Sequence, residues 1–324
     1  MNELHVIPGE LLPPRPRERR HLLSVADLSR EDVERLLSSA RSFARSQERD
    51  TKKLPTLRGR LVVNLFYESS TRTSSSFEIA AKRLSADVLN VKAAGSSADK
   101  GESLKDTALT LSAYDPDVIV VRHPQIGAPH LVARVSDAHV VNAGDGKHQH
   151  PTQALLDLYT IAEQLGRIEG VHVAIVGDVL HSRVARSLVQ GLRLIGASVL
   201  LVGPPTLVPA GLAEVSHDIA AVEAADVIYV LRMQRERMGQ GGHVPSLREY
   251  SARWGITPER VRPGQRVMHP GPMNRGVEID PRVADAGTSL VVDQVRSGLA
   301  VRMAVLYDLL TAGPVAVEAA VEVA

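Results

Sequence analysis

Residues 60–84 read "RLVVNLFYESSTRTSSSFEIAAKRL". Val62, Val63, Leu65 and Phe66 make a short apolar run broken only by Asn64, the mark of a strand covered on both faces. Phe77, Ala80, Ala81 and Leu84 then recur at helical spacing. Between the two periods stand Glu68, Ser69, Ser70, Thr71, Arg72 and Thr73, six polar residues of no use to a core. Strand, polar turn and helix form one β–α unit, and the polar residues lie at its strand-to-helix turn.

The same alternation extends in both directions. Upstream, "SRED" from Ser29 is a helix-start signal, and Val33, Leu36, Leu37, Ala40 and Phe43 follow as one apolar face. Downstream come a strand at 86–91, a helix at 103–114, strands at 116–124 and 139–144, and a long helix from Pro151 to about Leu165. "VHVAIVGDV" (171–179) restarts the pattern, with a helix over 182–196, a strand over 198–204 and a helix near 211–216. Strands at 225–233 and 265–272 follow, and a helix over 297–313 ends the regular structure. Repeated strand–helix alternation predicts an α/β protein with parallel sheets flanked by helices. A chain of 324 residues fits two such units, with the boundary in or beside the 151–165 helix. The expected division is 21–151 with 297–324 as one unit and 152–296 as the other, the active site lying in the cleft between them. Residues 1–20, with "LLPPRPRERR", read as a flexible arm.

Composition narrows the function classes. The chain is 44% hydrophobic, and no run approaches the roughly 18 apolar residues of a membrane span. A net charge of +1 and only 3% aromatic residues argue against nucleic acid or a membrane surface as partner. No cysteine is present, which excludes thiolate chemistry, and no secretory signal is visible, so a cytoplasmic location is expected.

In open α/β sheets, ligands sit beyond the carboxyl ends of the strands. A helix start there offers unpaired N–H groups and about half a positive charge. Small hydroxyl residues let an anion approach, and Arg72 adds a bidentate donor. Taken alone, residues 68–73 fit either a phosphate cradle or ordinary Ser/Thr capping. Neither a Walker loop nor a complete dinucleotide fingerprint is present. His150 precedes Pro151 at the predicted start of another helix, where the dipole disfavours imidazolium, and a neutral ring there can donate to a carbonyl oxygen. Gln153, in the first turn, can both donate and accept.

Together, Ser70-Thr71-Arg72-Thr73, Arg122-His123-Pro124 and His150-Pro151-Thr152-Gln153 resemble the signatures of the carbamoyltransferases. "HPTQALLDL", "LRMQRER" and "HPGPMNRGVEI" resemble the aspartate branch of that family, over residues 21 to 313. The resemblance implies transfer of the carbamoyl group of carbamoyl phosphate to the amino group of L-aspartate, an early step of pyrimidine synthesis. By the same resemblance, Ser70, Thr71, Arg72 and Thr73 hold phosphate. Thr73, Arg122 and His150 surround the carbamoyl oxygen, and Gln153 takes its NH2 group. Arg183, Arg232 and Gln234 bind aspartate, and the turn Pro270-Gly271-Pro272 lends backbone carbonyls, although Gly271 stands where a larger residue is often found.

Ser96 and Lys100 match loop residues that reach a neighbouring subunit's site, with Lys100 also toward aspartate, which implies a homotrimer with shared sites. Asp99 stands where some relatives carry a second lysine. "GQGGH" (239–243) suits a loop closing on aspartate. Orientation and charge stabilisation suffice for such a reaction, so neither a cofactor nor a metal is expected. Regulatory chains or a dihydroorotase remain open as further partners. An ornithine-specific relative and a catalytically silent homologue are the rival readings. The first wants acidic residues where this chain has Arg232 and Gln234, and the second does not fit filled catalytic positions.

Overall fold

A computed structural model describes residues 21–92, 101–234, 244 and 246–311. Two sheets organise it, and every strand pairing within them is parallel.

The first sheet comprises β1 (Leu61–Phe66), β2 (Asp87–Lys92), β3 (Val118–His123) and β4 (His139–Asp145), in the order β2-β1-β3-β4. β1 and β3 are buried along nearly their whole length, whereas β2, at the edge, is mostly exposed. Around this sheet lie α1 (Arg30–Ser46), α2 (Thr71–Arg83), α3 (Leu104–Ser112) and α4 (Ala128–Val135). Ser29 caps α1 through a reciprocal pair with Asp32, as the sequence signal predicts.

From β4 the chain enters α5 (Pro151–Leu165), which is buried on all sides from Pro151 to Ala162. The second sheet, in the order β7-β6-β5-β8-β9, follows: β5 (His172–Val176), β6 (Ser198–Val202), β7 (Glu214–Ser216), β8 (Val227–Val230) and β9 (Arg266–Met268). Its helices are α6 (Arg183–Leu194), α7 (Leu247–Trp254) and α8 (Pro281–Ala284). Finally α9 (Val291–Leu310) returns across the molecule to pack on α1, α2 and α5. One hydrophobic core therefore runs unbroken from Phe43 and Phe77 through Leu155 and Leu158 to Ile175 and Tyr229. None of the described helices is long and apolar enough to cross a membrane.

Three details depart from the sequence reading. The segment near 211–216 is no helix. Pro209 and Gly211 interrupt it, and Glu214–Ser216 instead pairs with Leu200–Val202 as an edge strand. The C-terminal helix starts at Val291 rather than 297, and Gly298 lies within it. A Cβ at Gly298 would stand 2.5 Å from an Arg302 guanidinium nitrogen, so the missing side chain makes room for that group. The helices α4, α7 and α8 were not expected. For α7 the signal was present, since Ser246 accepts a hydrogen bond from the Glu249 N–H as an N-cap. Three expectations fall outside the described residues: the 1–20 arm, Ser96 with Lys100, and the 239–243 loop.

Candidate active site

The two sheets and α9 enclose a cavity of about 660 Å³. Twelve sequence-predicted residues line it together: Ser70, Thr71, Arg72, Thr73, Arg122, His150, Gln153, Arg183, Arg232, Gln234, Gly271 and Pro272. They come from the turn after β1, the end of β3, the start of α5, the start of α6, the chain after β8 and the turn after β9. All these places lie at carboxyl ends of parallel strands or at the helix starts that follow them.

α2 begins at Thr71, and Ser70 caps it without a side-chain hydrogen bond. First-turn N–H groups cannot be paired within a helix, so here they are available to a ligand. Arg72 is exposed in the cavity mouth, and its guanidinium lies against Gly271. Gly271 has φ of +64°, and a Cβ there would stand 2.7 Å from Arg72 Cζ. Glycine at this position, where a larger residue was noted as usual, is thus matched to the position of Arg72.

His150 is the N-cap of α5 and is almost wholly buried. Its backbone N–H donates to Ser187 Oγ (2.8 Å), whose hydroxyl donates to Gln149 Oε1. Burial, together with the Arg122, Arg183 and Arg302 charges, holds the imidazole well below its ordinary range. The ring is therefore neutral at physiological pH and can donate one hydrogen bond without adding charge. Arg122, from β3, reaches the Ala143 carbonyl at 3.4 Å.

Glu68 was read only as part of the polar turn 68–73, and its pairing with arginines was not foreseen. One Glu68 carboxylate oxygen lies 2.6 Å from an Arg183 nitrogen and 3.3 Å from Arg122 Nε. Arg183, 4% exposed, also donates to the Gly146 carbonyl. A single carboxylate thus joins two arginines assigned to different ends of the substrate. Its place beside Ser69 and Ser70 was the only hint in the sequence.

The far wall is braced by buried polar groups. Asp178 accepts from His181 Nδ1 (2.8 Å) and, through its other oxygen, from the Gln234 N–H (3.1 Å). This ties the turn after β5 to the segment bearing Arg232. His269 Nδ1 accepts the Gly271 N–H at 2.8 Å, so Nε2 carries the proton and donates to Glu278. Arg302 was also unpredicted. It lines the cavity from α9, donates to Ser76 Oγ and stacks over Phe77, while its Nε finds no hydrogen-bond partner among the described residues. Burial lowers its pKa to about 10.

Five arginines and one carboxylate line the cavity among the described residues, so it suits a ligand with several negative charges. Phosphate fits the α2 start and Arg72. A carbonyl oxygen fits the Thr73, Arg122 and His150 side. Carboxylates fit Arg183 and Arg232.

Comparison with known proteins agrees with this geometry. Residues 20–163 match the family description "Aspartate/ornithine carbamoyltransferase, carbamoyl-P binding domain", and residues 169–309 match its "Asp/Orn binding domain". The aspartate carbamoyltransferase catalytic subunit of Salinispora arenicola is 59% identical over 302 residues, covering 90% of this chain and 98% of that one. The Mycobacterium tuberculosis protein of the same name is 57% identical over 305 residues, covering 90% and 95%. Trypanosoma cruzi aspartate transcarbamoylase in complex with carbamoyl phosphate and aspartate superposes with a TM-score of 0.83 at 32% identity, covering 93% of this chain and all of that one. The M. jannaschii catalytic subunit gives 0.80 at 36% identity, covering 90% and 97%. The chain belongs to the aspartate/ornithine carbamoyltransferase family.

Proposed function

We propose that this chain is a catalytic subunit of aspartate carbamoyltransferase. It moves the carbamoyl group of carbamoyl phosphate to the L-aspartate amine, forming N-carbamoyl-L-aspartate and phosphate for pyrimidine synthesis. The observation that carries this reading is the convergence, in one cavity, of the uncapped α2 start with Arg72, the neutral His150 beside Arg122, and the two arginines Arg183 and Arg232.

The chemistry follows from that arrangement. Phosphate is held by Ser70, Thr71, Arg72 and Thr73 at the helix start. The aspartate carboxylates pair with Arg183 and Arg232, beside Gln234, which brings the amine to the carbonyl carbon. As the C–N bond forms, charge grows on the carbonyl oxygen, and Thr73, Arg122 and the neutral His150 stabilise it. Gln153 accepts from the carbamoyl NH2, with the carbonyls of the Gly271–Pro272 turn on its other side. The C–O bond to phosphate then breaks, and the departing phosphate takes the amine's proton.

Ornithine, the alternative acceptor, carries an ammonium side chain. The single carboxylate among the described lining residues, Glu68, is already engaged by Arg183 and Arg122, which favours aspartate. In this reading 21–151 with 297–324 forms the carbamoyl-phosphate unit and 152–296 the aspartate unit. The packing of α9 on α1 and α2 supports that division. The working form is a cytoplasmic homotrimer in which Ser96 and Lys100 complete a neighbour's site. Purified chain should form carbamoyl aspartate from carbamoyl phosphate and aspartate but leave ornithine unreacted. Turnover of ornithine alone would overturn the assignment.

A further inference from the structure

Asp157 lies one helical turn after Gln153 on α5, and it is fully buried. It accepts three hydrogen bonds from three elements. Oδ1 accepts from Gln153 Nε2 (3.1 Å) and Gln294 Nε2 (2.7 Å), and Oδ2 accepts from the Tyr229 hydroxyl (2.7 Å). An oxygen that accepts from both amides forces each to present its nitrogen. The Gln153 amide oxygen must then point away from Asp157. Gln294 obeys the same constraint, since its own oxygen accepts the His269 N–H at 2.9 Å, just before the Pro270–Pro272 turn.

We propose that Asp157 is a positioning residue that fixes the Gln153 amide with its oxygen toward the cavity, making the site select an acyl phosphate that bears N–H donors over one that bears a methyl group. Through Gln294 the same carboxyl group anchors the turn that closes the other side of the carbamoyl pocket. The inference rests on the carbamoyl-transfer reading above. It deepens that reading by naming what turns a two-faced amide into a one-way acceptor. A glutamine left to rotate would present donor or acceptor with similar ease, and would not tell –NH2 from –CH3.

The device works in either charge state. Burial raises the Asp157 pKa to about 7, opposed by its hydrogen bonds and the nearby Arg302 charge. When protonated on Oδ2, the group donates to the Tyr229 oxygen, and Oδ1 still accepts both amides. Asparagine can copy that protonated form, with its NH2 toward Tyr229 and its oxygen toward the two glutamines. Alanine cannot.

The test uses the full chain, with steady-state kinetics in carbamoyl phosphate and competition by acetyl phosphate and by inorganic phosphate. Asp157→Ala should raise the carbamoyl phosphate KM tenfold or more, while inhibition by acetyl phosphate and by inorganic phosphate changes less than twofold. Asp157→Asn should stay within about threefold of wild type. In a Gln153→Ala background, adding Asp157→Ala should raise the carbamoyl phosphate KM far less than it does in the wild type, because only the route through Gln294 is left to lose. Equal weakening of all three ligands, or additive losses in the double variant, would reduce Asp157 to a general structural role and overturn the proposal. Should Asp157→Ala fail to fold, the near-isosteric pair Asp157→Asn with Tyr229→Phe serves. Without the tyrosine oxygen the asparagine is free to flip, so the combined variant should lose preference for carbamoyl over acetyl phosphate when neither single variant does. A combined variant that keeps the preference overturns the proposal. Wild type that forms no carbamoyl aspartate would instead count against the function itself.

Discussion

Arg72 and Arg232 line one cavity from different elements, the start of α2 and the chain after β8, and should fail in different ways. Arg72→Ala removes the guanidinium beside the uncapped α2 start. Turnover should fall by several orders of magnitude with little change in melting temperature, since the side chain is exposed and no packing is lost. A variant with near-normal rate and carbamoyl phosphate affinity would refute the phosphate role. Arg232→Ala should spare carbamoyl phosphate and cost the aspartate carboxylate its partner. A charge-assisted pair is worth roughly 1.5–3 kcal/mol, about ten- to a hundredfold in affinity. Thermal protection checks this. A bisubstrate mimic with a phosphonate and the aspartate carboxylates should raise the variant's melting temperature far less than the wild type's, while phosphate protects both equally.

Most of the residues proposed to bind substrate were legible in sequence because they sit where one period gives way to another. Ser70 to Thr73 follow a strand and open a helix, and His150 is fixed by the proline after it. The supporting residues were not. Glu68 matters through Arg183, 115 positions away, and Asp157 through Gln294, 137 positions away. Pairings of that range leave no local mark. Asp157 did leave one trace: it lies in "ALLDLYTIA", a helix apolar nearly all round, where a carboxylate has no solvent side to face.

At the scale of elements, the strand–helix alternation fixed both sheets, since each strand's apolar run and each helix's spacing are local properties. The failures came where tertiary contact outweighed local signal. At 214–216 a free edge of β6 recruited three residues into a strand. In α9, the helix begins six residues before the expected 297, and Gly298 within it makes room for Arg302. Gly298→Ala tests that explanation. Helix propensity alone predicts a gain of about 1 kcal/mol. The added methyl would instead displace the buried guanidinium from Ser76, and overpacking of this kind costs about 1–3 kcal/mol. Urea unfolding should therefore show a net loss of about 1 kcal/mol. A more stable variant would mean that Arg302 has room to spare.

For the whole molecule, acid should be destabilising in a defined way. His123, His150 and His269 are all held below their ordinary pKa, in each case chiefly by burial. The folded state keeps them neutral, whereas the unfolded chain takes up protons near pH 6.5. Their contribution is complete above that pH and is lost as pH falls below it. Chemical denaturation at stepped pH should show the decline, and His150→Gln should make it shallower. An unchanged slope would mean that His150 is protonated in the folded state. The proposed trimer has its own test. Inactive Lys100→Ala and inactive His150→Ala chains, mixed and allowed to exchange subunits, should recover some activity, because a few sites would then have both residues intact. Proven hybrids without activity would argue for self-contained sites.

The return of α9 onto α1 and α2 also bears on how the protein is made. Phe43 meets Tyr307 edge-on at 5.5 Å, and Arg35 is bonded to Asp308. On the ribosome, Val33, Leu37 and Phe43 emerge early, yet the helix that covers them emerges only after the entire second sheet has been translated. During that interval α1 and α2 carry an unsealed oily face, and the amino-terminal unit cannot mature as an independent first step of vectorial folding. Nascent chains stalled before residue 291 should accordingly bind holdase chaperones and yield to protease, and release of the α9 segment should end both.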